Sequence, residues 1–290
     1  MRRACIDIGS NTTRLLVAET DGCGLVALHE ERVFTRIGAA LADDGTIPES
    51  KRLEVIEVVS AQLQTARSLG VGEVRGVATA AIRGAVDGAG FVREVSARTG
   101  LELAVLSDEE EARLAFRGAA GTLAGTAPEP LGVLDVGGGS SEVVVGSAPN
   151  RVDWWRSLPI GSGSIAHAHL HSDPPTEAEL HDARAAVAGV VDALKPPPVA
   201  GAVAVGGSAT SLGRIAGLTL DGSSLPRSLA LLTAEPAAAA AARHGIDAQR
   251  ARLLPAGILI LQALAERLGA TVTVGRGGIR EGVLLEAAAA

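Results

Sequence analysis

Tyrosine is absent from this chain of 290 residues, and three Phe and two Trp are all of its aromatic content. Binding of single-stranded nucleic acid by base stacking needs exposed aromatic platforms, so no nucleic-acid partner is expected. Cysteine is nearly absent too. Cys5 sits in a strand-like apolar run and Cys23 in the turn Asp-Gly-Cys-Gly. Neither has zinc or redox-pair spacing, and no disulfide framework is expected. A basic excess is also missing: 26 Lys and Arg face 33 Asp and Glu, for a net charge of −7. No global field draws polyanions, so a phosphate site would be built locally from amides, a few arginines and a metal ion. Every apolar stretch is broken by Gly, Arg or Asp short of a membrane span, and no membrane partner is expected. The N-terminus enters a strand within three residues without a leader, and the protein reads as cytoplasmic.

What remains is aliphatic. Apolar residues make up 47% of the chain, enough for a sizeable core of Ala, Val, Leu and Ile, and the length fits two domains. A motif occurs twice. Residues 6–17 read Ile-Asp-Ile-Gly-Ser-Asn-Thr-Thr-Arg-Leu-Leu-Val, and 134–145 read Leu-Asp-Val-Gly-Gly-Gly-Ser-Ser-Glu-Val-Val-Val. Each predicts a β-hairpin whose small polar turn leaves backbone N–H groups bare. Such turns wrap phosphate, because Gly allows close approach and hydroxyls add donors. The candidates are Gly9, Ser10, Asn11 and Thr12 in the first copy, and Gly137, Gly138, Gly139, Ser140 and Ser141 in the second. Gly206-Gly207-Ser208-Ala209-Thr210 offers a third loop, with Gly207, Ser208 and Thr210 as its phosphate-binding candidates.

Around these turns the chain alternates strands and helices, which indicates α/β layers. Strands are expected at Ala4–Ile8, Thr13–Glu19, Val26–Thr35, Val74–Ala80 and Leu101–Leu106, with helices at Glu49–Leu69, Gly90–Thr99 and from Asp108. Gly118–Pro130, rich in Gly, Ala, Thr and Pro, reads as a hinge. The plan then repeats, with strands at Leu131–Val136, Glu142–Val145, Arg151–Leu158 and Ala200–Val205. A helix at Glu177–Leu194, capped by Thr176, ends before Pro196-Pro197-Pro198. Further helices are expected at Ala237–Ala242, Arg252–Leu268 and from Glu281, with a strand at Thr271–Val274. Domains of 1–122 and 123–280 follow, the last helix (281–290) packing back on the first.

The strand-end aspartates Asp7 and Asp135 are natural places for a divalent ion, since Mg²⁺ takes one or two carboxylates and leaves the rest to water and phosphate. Glu142, just past the second turn, adds a third carboxylate. In Ser107-Asp108-Glu109-Glu110-Glu111, Ser107 and Glu110 form a capping box, and the helix dipole accounts for the other early acids. Glu111 is left over, with Ala115 rather than a cation four residues on. A carboxylate there could orient and deprotonate a water. Arg83 reads either as a solvated loop arginine or as a guanidinium fork for phosphate oxygens. His167, His169 and His171 lack an accompanying carboxylate or cysteine and read as exposed helix histidines. Trp154-Trp155 reads as core plus an edge or dimer contact.

In order, Asp7-Ile-Gly-Ser-Asn-Thr-Thr-Arg-Leu, Thr79-Ala-Ala-Ile-Arg83, Ser107-Asp-Glu-Glu-Glu-Ala-Arg-Leu114 and Asp135-Val-Gly-Gly-Gly-Ser-Ser-Glu142 resemble the exopolyphosphatase/guanosine pentaphosphate phosphohydrolase family. Leu158-Pro-Ile-Gly161, Val205-Gly-Gly-Ser-Ala-Thr210, Leu254-Pro-Ala-Gly257 and Gly278-Ile-Arg-Glu-Gly282 continue the resemblance over essentially the whole chain. It implies an actin-like (ribonuclease H-like) fold of two duplicated α/β domains flanking a catalytic cleft. It also implies hydrolysis of a terminal phosphoanhydride with Mg²⁺ (or Mn²⁺), Glu111 as base, Arg83 on the transferring phosphoryl group, and Asp135 and Glu142 at the metal. The substrate would be inorganic polyphosphate, with guanosine pentaphosphate as the alternative, and a homodimer would be plausible. Longer family members carry an extra helical region after Arg-Glu-Gly where this chain ends in alanines, so shorter polyphosphate chains are expected. Ala209 stands where relatives usually have Gly, so its methyl either narrows the pocket or is tolerated. An actin-fold sugar or acetate kinase, and a non-catalytic polyphosphate or nucleotide sensor, are the more distant readings.

Overall fold

Along β1 (Arg2–Ile8) the side chains alternate: Ala4, Ile6 and Ile8 enter one apolar cluster, and Cys5 enters another on the opposite face of the sheet. That alternation sends Asp7 to the same face as Cys5. A computed structural model describes residues 1–20 and 24–289; Cys23 lies outside the described residues. The chain divides into two units, Met1–Thr122 with Gly277–Ala290, and Leu123–Arg276.

In the first unit β1 pairs antiparallel with β2 (Thr13–Thr20), and β2 with β3 (Leu25–Val33). β4 (Glu73–Ala78) and β5 (Leu103–Val105) add parallel strands on the other side, giving the order β3-β2-β1-β4-β5. The intervening helices are α1 (Ile37–Ala40), α2 (Glu49–Ser68), α3 (Ala80–Gly84), α4 (Gly88–Thr99) and α5 (Asp108–Gly121). α2 and α4 cover one sheet face through Val55, Ile56, Val59, Leu63, Phe91 and Val95.

The second unit repeats the plan. β6 (Leu131–Val136), β7 (Ser141–Ser147) and β8 (Arg151–Leu158) form an antiparallel meander, followed by α6 (Ser162–His169) and α7 (Glu177–Val191). Next come β9 (Gly201–Val205), α8 (Gly206–Ala216), β10 (Thr219–Leu220), α9 (Ser224–Thr233), α10 (Ala237–His244), α11 (Ala248–Leu268) and β11 (Val272–Val274). The sheet order is β10-β11-β9-β6-β7-β8. Its run β8-β7-β6-β9-β11 has the same sequence of antiparallel and parallel pairings as the first sheet. The duplication read from the paired motifs is therefore a duplication of whole sheets. α12 (Ile279–Ala289) returns to the first unit, where Val283 and Leu284 share a cluster with Cys5, Leu16 and Leu114.

Several boundaries differ from expectation. The stretch from Gly118, read as hinge, begins inside α5, which runs on to Gly121. The reason is packing rather than propensity. A methyl on Gly118 would fall 2.0 Å from Gly278 O and 2.9 Å from Gly282 N, so α5 and the start of α12 touch backbone to backbone. The same contact draws Gly277 and Gly278 into the first unit, moving its boundary from 280 to 276. The helix expected from Arg252 starts at Ala248, because the Asp247 carboxylate accepts the N–H groups of Gln249 and Arg250. The third glycine loop is the first turn of α8 rather than a separate loop. The capping box at Ser107/Glu110 and the Thr176 cap form as read, and Glu179 completes a second box at Thr176.

Among the described residues no helix is long and apolar enough to cross a membrane. Gly118→Ala should lower the thermal unfolding midpoint, because the added methyl meets backbone atoms that no rotamer change can clear. Overpacking of this kind costs about 1–3 kcal/mol, set against a helix-propensity gain of about 1 kcal/mol from losing glycine. A variant that melts at or above the wild-type temperature would contradict the backbone contact.

Candidate active site

The two motif turns close with the same hydrogen bond. Gly9 N–H donates to Thr12 O at 2.9 Å, and Gly137 N–H donates to Ser140 O at 3.0 Å. Each turn is also held from behind. In the first, Gly38 N–H donates to Ser10 O (2.9 Å) and Arg36 N–H to Asn11 O (3.0 Å). In the second, Ser162 N–H donates to Gly137 O (2.9 Å), and Gly163 and Ser164 N–H to Gly138 O (2.9 and 3.0 Å). Asn11 Nδ2 is sealed from solvent with no hydrogen-bond acceptor.

The hydroxyls are placed differently from expectation. Ser141 is fully buried and its Oγ donates to Ile160 O at 2.7 Å. Ser208 is also fully buried, its Oγ without a partner and turned toward Gly257 on α11. Thr210 Oγ1 donates to Gly206 O, one helical turn back. These three hydroxyls belong to the scaffold, so the second and third loops present mainly amides. The first amides of α8 are those a helix leaves without an intrahelical acceptor, at the positive end of its dipole. Ala209, the departure from the resembled pattern, is fully buried in the aliphatic core of the second unit, so its methyl is packed there.

Cross-strand register pairs the charged groups. Asp135 on β6 lies opposite Glu142 on β7, and residues directly opposite share a sheet face. Both are buried, and Ser157 Oγ donates to Glu142 Oε1 at 2.9 Å. Gly206, with φ +84°, faces Asp135: a methyl there would lie 2.5 Å from Oδ1. Two hard carboxylates beside a bare Cα suit Mg²⁺, which takes one or two carboxylates and completes its shell with water and phosphate. Among the described residues no group of three or more His, Cys, Asp and Glu assembles. His167 and His169 lie in α6, and His171 follows it.

At the equivalent place in the first unit, Asp7 on β1 lies opposite Arg14 on β2. Burial pushes the Asp7 carboxyl above the usual range although Arg14 and Arg280 oppose the shift. Its Oδ1 has no hydrogen-bond partner. Burial lowers Arg14 to about 10. Burial alone would lower Arg280 as well, but Glu281, Glu30 and Asp7 hold it up. Arg280 donates to Leu15 O at 3.0 Å and to Glu30 at 3.1 Å. Asp7 therefore has cations beside it where Asp135 has a carboxylate.

Glu111 is 2% exposed, in the first turn of α5. Arg83, on the single turn α3, bridges Glu111 and Asp108 and donates to Leu106 O at 2.7 Å. The arginine is thus a bound partner of the carboxylate rather than a solvated loop residue. The half-buried Arg14 and the buried Arg250 and Arg280 were given no role from the residues alone. Arg250 lies under the third loop, 2.5 Å from where a methyl on Gly207 would stand. Its spacing in Gln-Arg-Ala-Arg carries no signal of that position.

Residues 16–290 match the model of the Ppx/GppA phosphatase family. The chain belongs to this family. Exopolyphosphatase 1 of Mycobacterium tuberculosis is 29% identical over 309 residues, covering 98% of this chain and 88% of that protein. The crystal structure of the Aquifex aeolicus Ppx/GppA member aligns with a TM-score of 0.83 at 29% identity, covering 100% of this chain and 98% of that one. An exopolyphosphatase structure from Cytophaga hutchinsonii, at 20% identity and TM-score 0.84, shares the fold. The fold of this Ppx/GppA member is the duplicated actin-like α/β arrangement.

Arg83→Ala would remove the Arg83 guanidinium from the buried Glu111 carboxylate, which favours its protonated form. The acidic limb of the pH–rate profile for phosphate release should then move to higher pH. An unmoved limb would separate Arg83 from the ionisation of Glu111.

Proposed function

We propose that the protein is an exopolyphosphatase that hydrolyses the terminal phosphoanhydride of inorganic polyphosphate. The observation that carries this reading is Glu111, a buried carboxylate at a helix start, fixed by Arg83 in a chain that also carries amide-lined phosphate turns. The name of the Mycobacterium tuberculosis relative supports the choice of substrate.

In this reading the amides of the motif turns and of the first turn of α8 bind phosphate groups. Glu111 accepts a proton from the attacking water as its oxygen bonds to the terminal phosphorus. The bridging P–O bond breaks, and the shortened chain leaves with the bond electrons. Arg83 keeps Glu111 in place and offers its guanidinium to the phosphoryl oxygens. Phosphoryl transfer asks mainly for positioning and charge stabilisation, and these groups supply both. Asp135 and Glu142 would hold Mg²⁺, which neutralises charge on phosphate oxygens. Asp7, flanked by Arg14 and Arg280, is better suited to shaping the first turn than to binding a cation.

Glu111→Gln keeps the shape and removes the base. Turnover on polyphosphate, read as orthophosphate release with Mg²⁺ present, should fall about 10²–10⁴-fold, with KM little changed. Turnover near wild type would remove Glu111 from the chemistry.

A further inference from the structure

Two motifs, Leu158-Pro-Ile-Gly161 and Leu254-Pro-Ala-Gly257, have no part in the chemistry above. Both lie behind the phosphate loops of the second unit. A trans peptide points its C=O and N–H in opposite directions, and the peptides that follow Gly137 and Gly138 are not among the cis bonds of this chain. The carbonyls of Gly137 and Gly138 are each bound from behind by the first turn of α6: Gly137 O by Ser162 N–H and, at 3.1 Å, Ser162 Oγ, and Gly138 O by Gly163 and Ser164 N–H. The N–H groups of Gly138 and Gly139 belong to those same two peptides, so they point away from α6. Neither has an acceptor among the described residues.

The fit behind the turn is tight. A methyl on Gly161 would fall 2.4 Å from Gly138 C and 2.5 Å from Gly138 O. A methyl on Gly257, in the middle of α11, would fall 2.8 Å from Ser208 Oγ, 2.9 Å from Ser208 Cβ and 3.6 Å from Ser162 Cβ. The bare Cα of Gly257 thus lets the first turns of α6 and α8 settle on one spot of α11.

We propose that Gly161, Ser162 and Gly257 are positioning residues that aim the amides of the second and third loops outward at the phosphates of the substrate. This rests on the phosphate-binding reading of those loops. Ser162 sets the peptide after Gly137 through two donors to one carbonyl, and Gly257 seats the α8 turn beside it. None of the three touches substrate. Their effect is on how strongly the chain's phosphates are held.

The test uses the full chain labelled with ¹⁵N-glycine and titrated with imidodiphosphate, whose bridging nitrogen resists hydrolysis. In the wild type the Gly138 and Gly139 amide signals should shift on binding. Ser162→Ala and Gly257→Ala should each need about three- to tenfold more ligand, the usual worth of one hydrogen bond or a comparable misplacement. The same variants should raise KM for polyphosphate in proportion while kcat stays within about twofold. Ser162→Ala separates positioning from folding, since it removes only the Oγ donor and leaves the Ser162 N–H on Gly137 O: its melting midpoint should hold while its affinity falls. If both variants titrate like the wild type, the proposal is overturned and the phosphate reading stands. If the wild-type Gly138 and Gly139 amides do not respond at all, the phosphate reading fails and takes the proposal with it.

Discussion

A backbone amide is best aimed at a phosphate when the carbonyl on the far side of its own peptide is held in place. The motif turns meet that requirement with amides from the following segment, which bind Ser10 O and Asn11 O in one unit and Gly137 O and Gly138 O in the other. The rest of each unit makes that hold possible. The sheets fix where the turns begin, and glycine at the tightest contacts lets backbone meet backbone. Leu114 and Val283 lock α5 and α12 to the first sheet. A phosphate site of the proposed kind needs no basic surface, so a net charge of −7 is no obstacle to it.

The charged groups of the two units have diverged on a common frame. Opposite its strand-end aspartate, one hairpin has Arg14 and the other has Glu142. The first arrangement makes a partly buried network of Asp7, Arg14, Arg280 and Glu281, in which desolvation and neighbouring charge pull in opposite directions. The second makes a pair of carboxylates suited to a hard divalent ion. The duplication thus supplies one turn geometry, and the cross-strand neighbour decides what each copy does with it.

The sequence made the strands, the duplicated hairpins and the capping box at Ser107 and Glu110 legible, because each depends on residues close together along the chain. The extent of α5 was hidden. Gly118 and Gly121 look like hinge residues until α12 arrives from more than 150 positions away to cover them. The fate of the hydroxyls was hidden for a related reason. Ser141 and Ser208 have the composition of a phosphate loop, yet whether a side chain faces the loop or the scaffold depends on Ile160 and on Gly257. Arg83 was ambiguous for want of a partner, and Glu111 supplies it across 28 positions. Arg250 could not be found by spacing, since its place under the third loop comes from the way α11 packs against α8.

The most direct measurement follows the oxygen of the attacking water. A single turnover on polyphosphate in heavy-oxygen water should place the label in the released orthophosphate, because attack falls on the terminal phosphorus. Label recovered in the end group of the shortened chain would mean attack on the penultimate phosphorus. That result would contradict a terminal phosphate presented to water primed by Glu111.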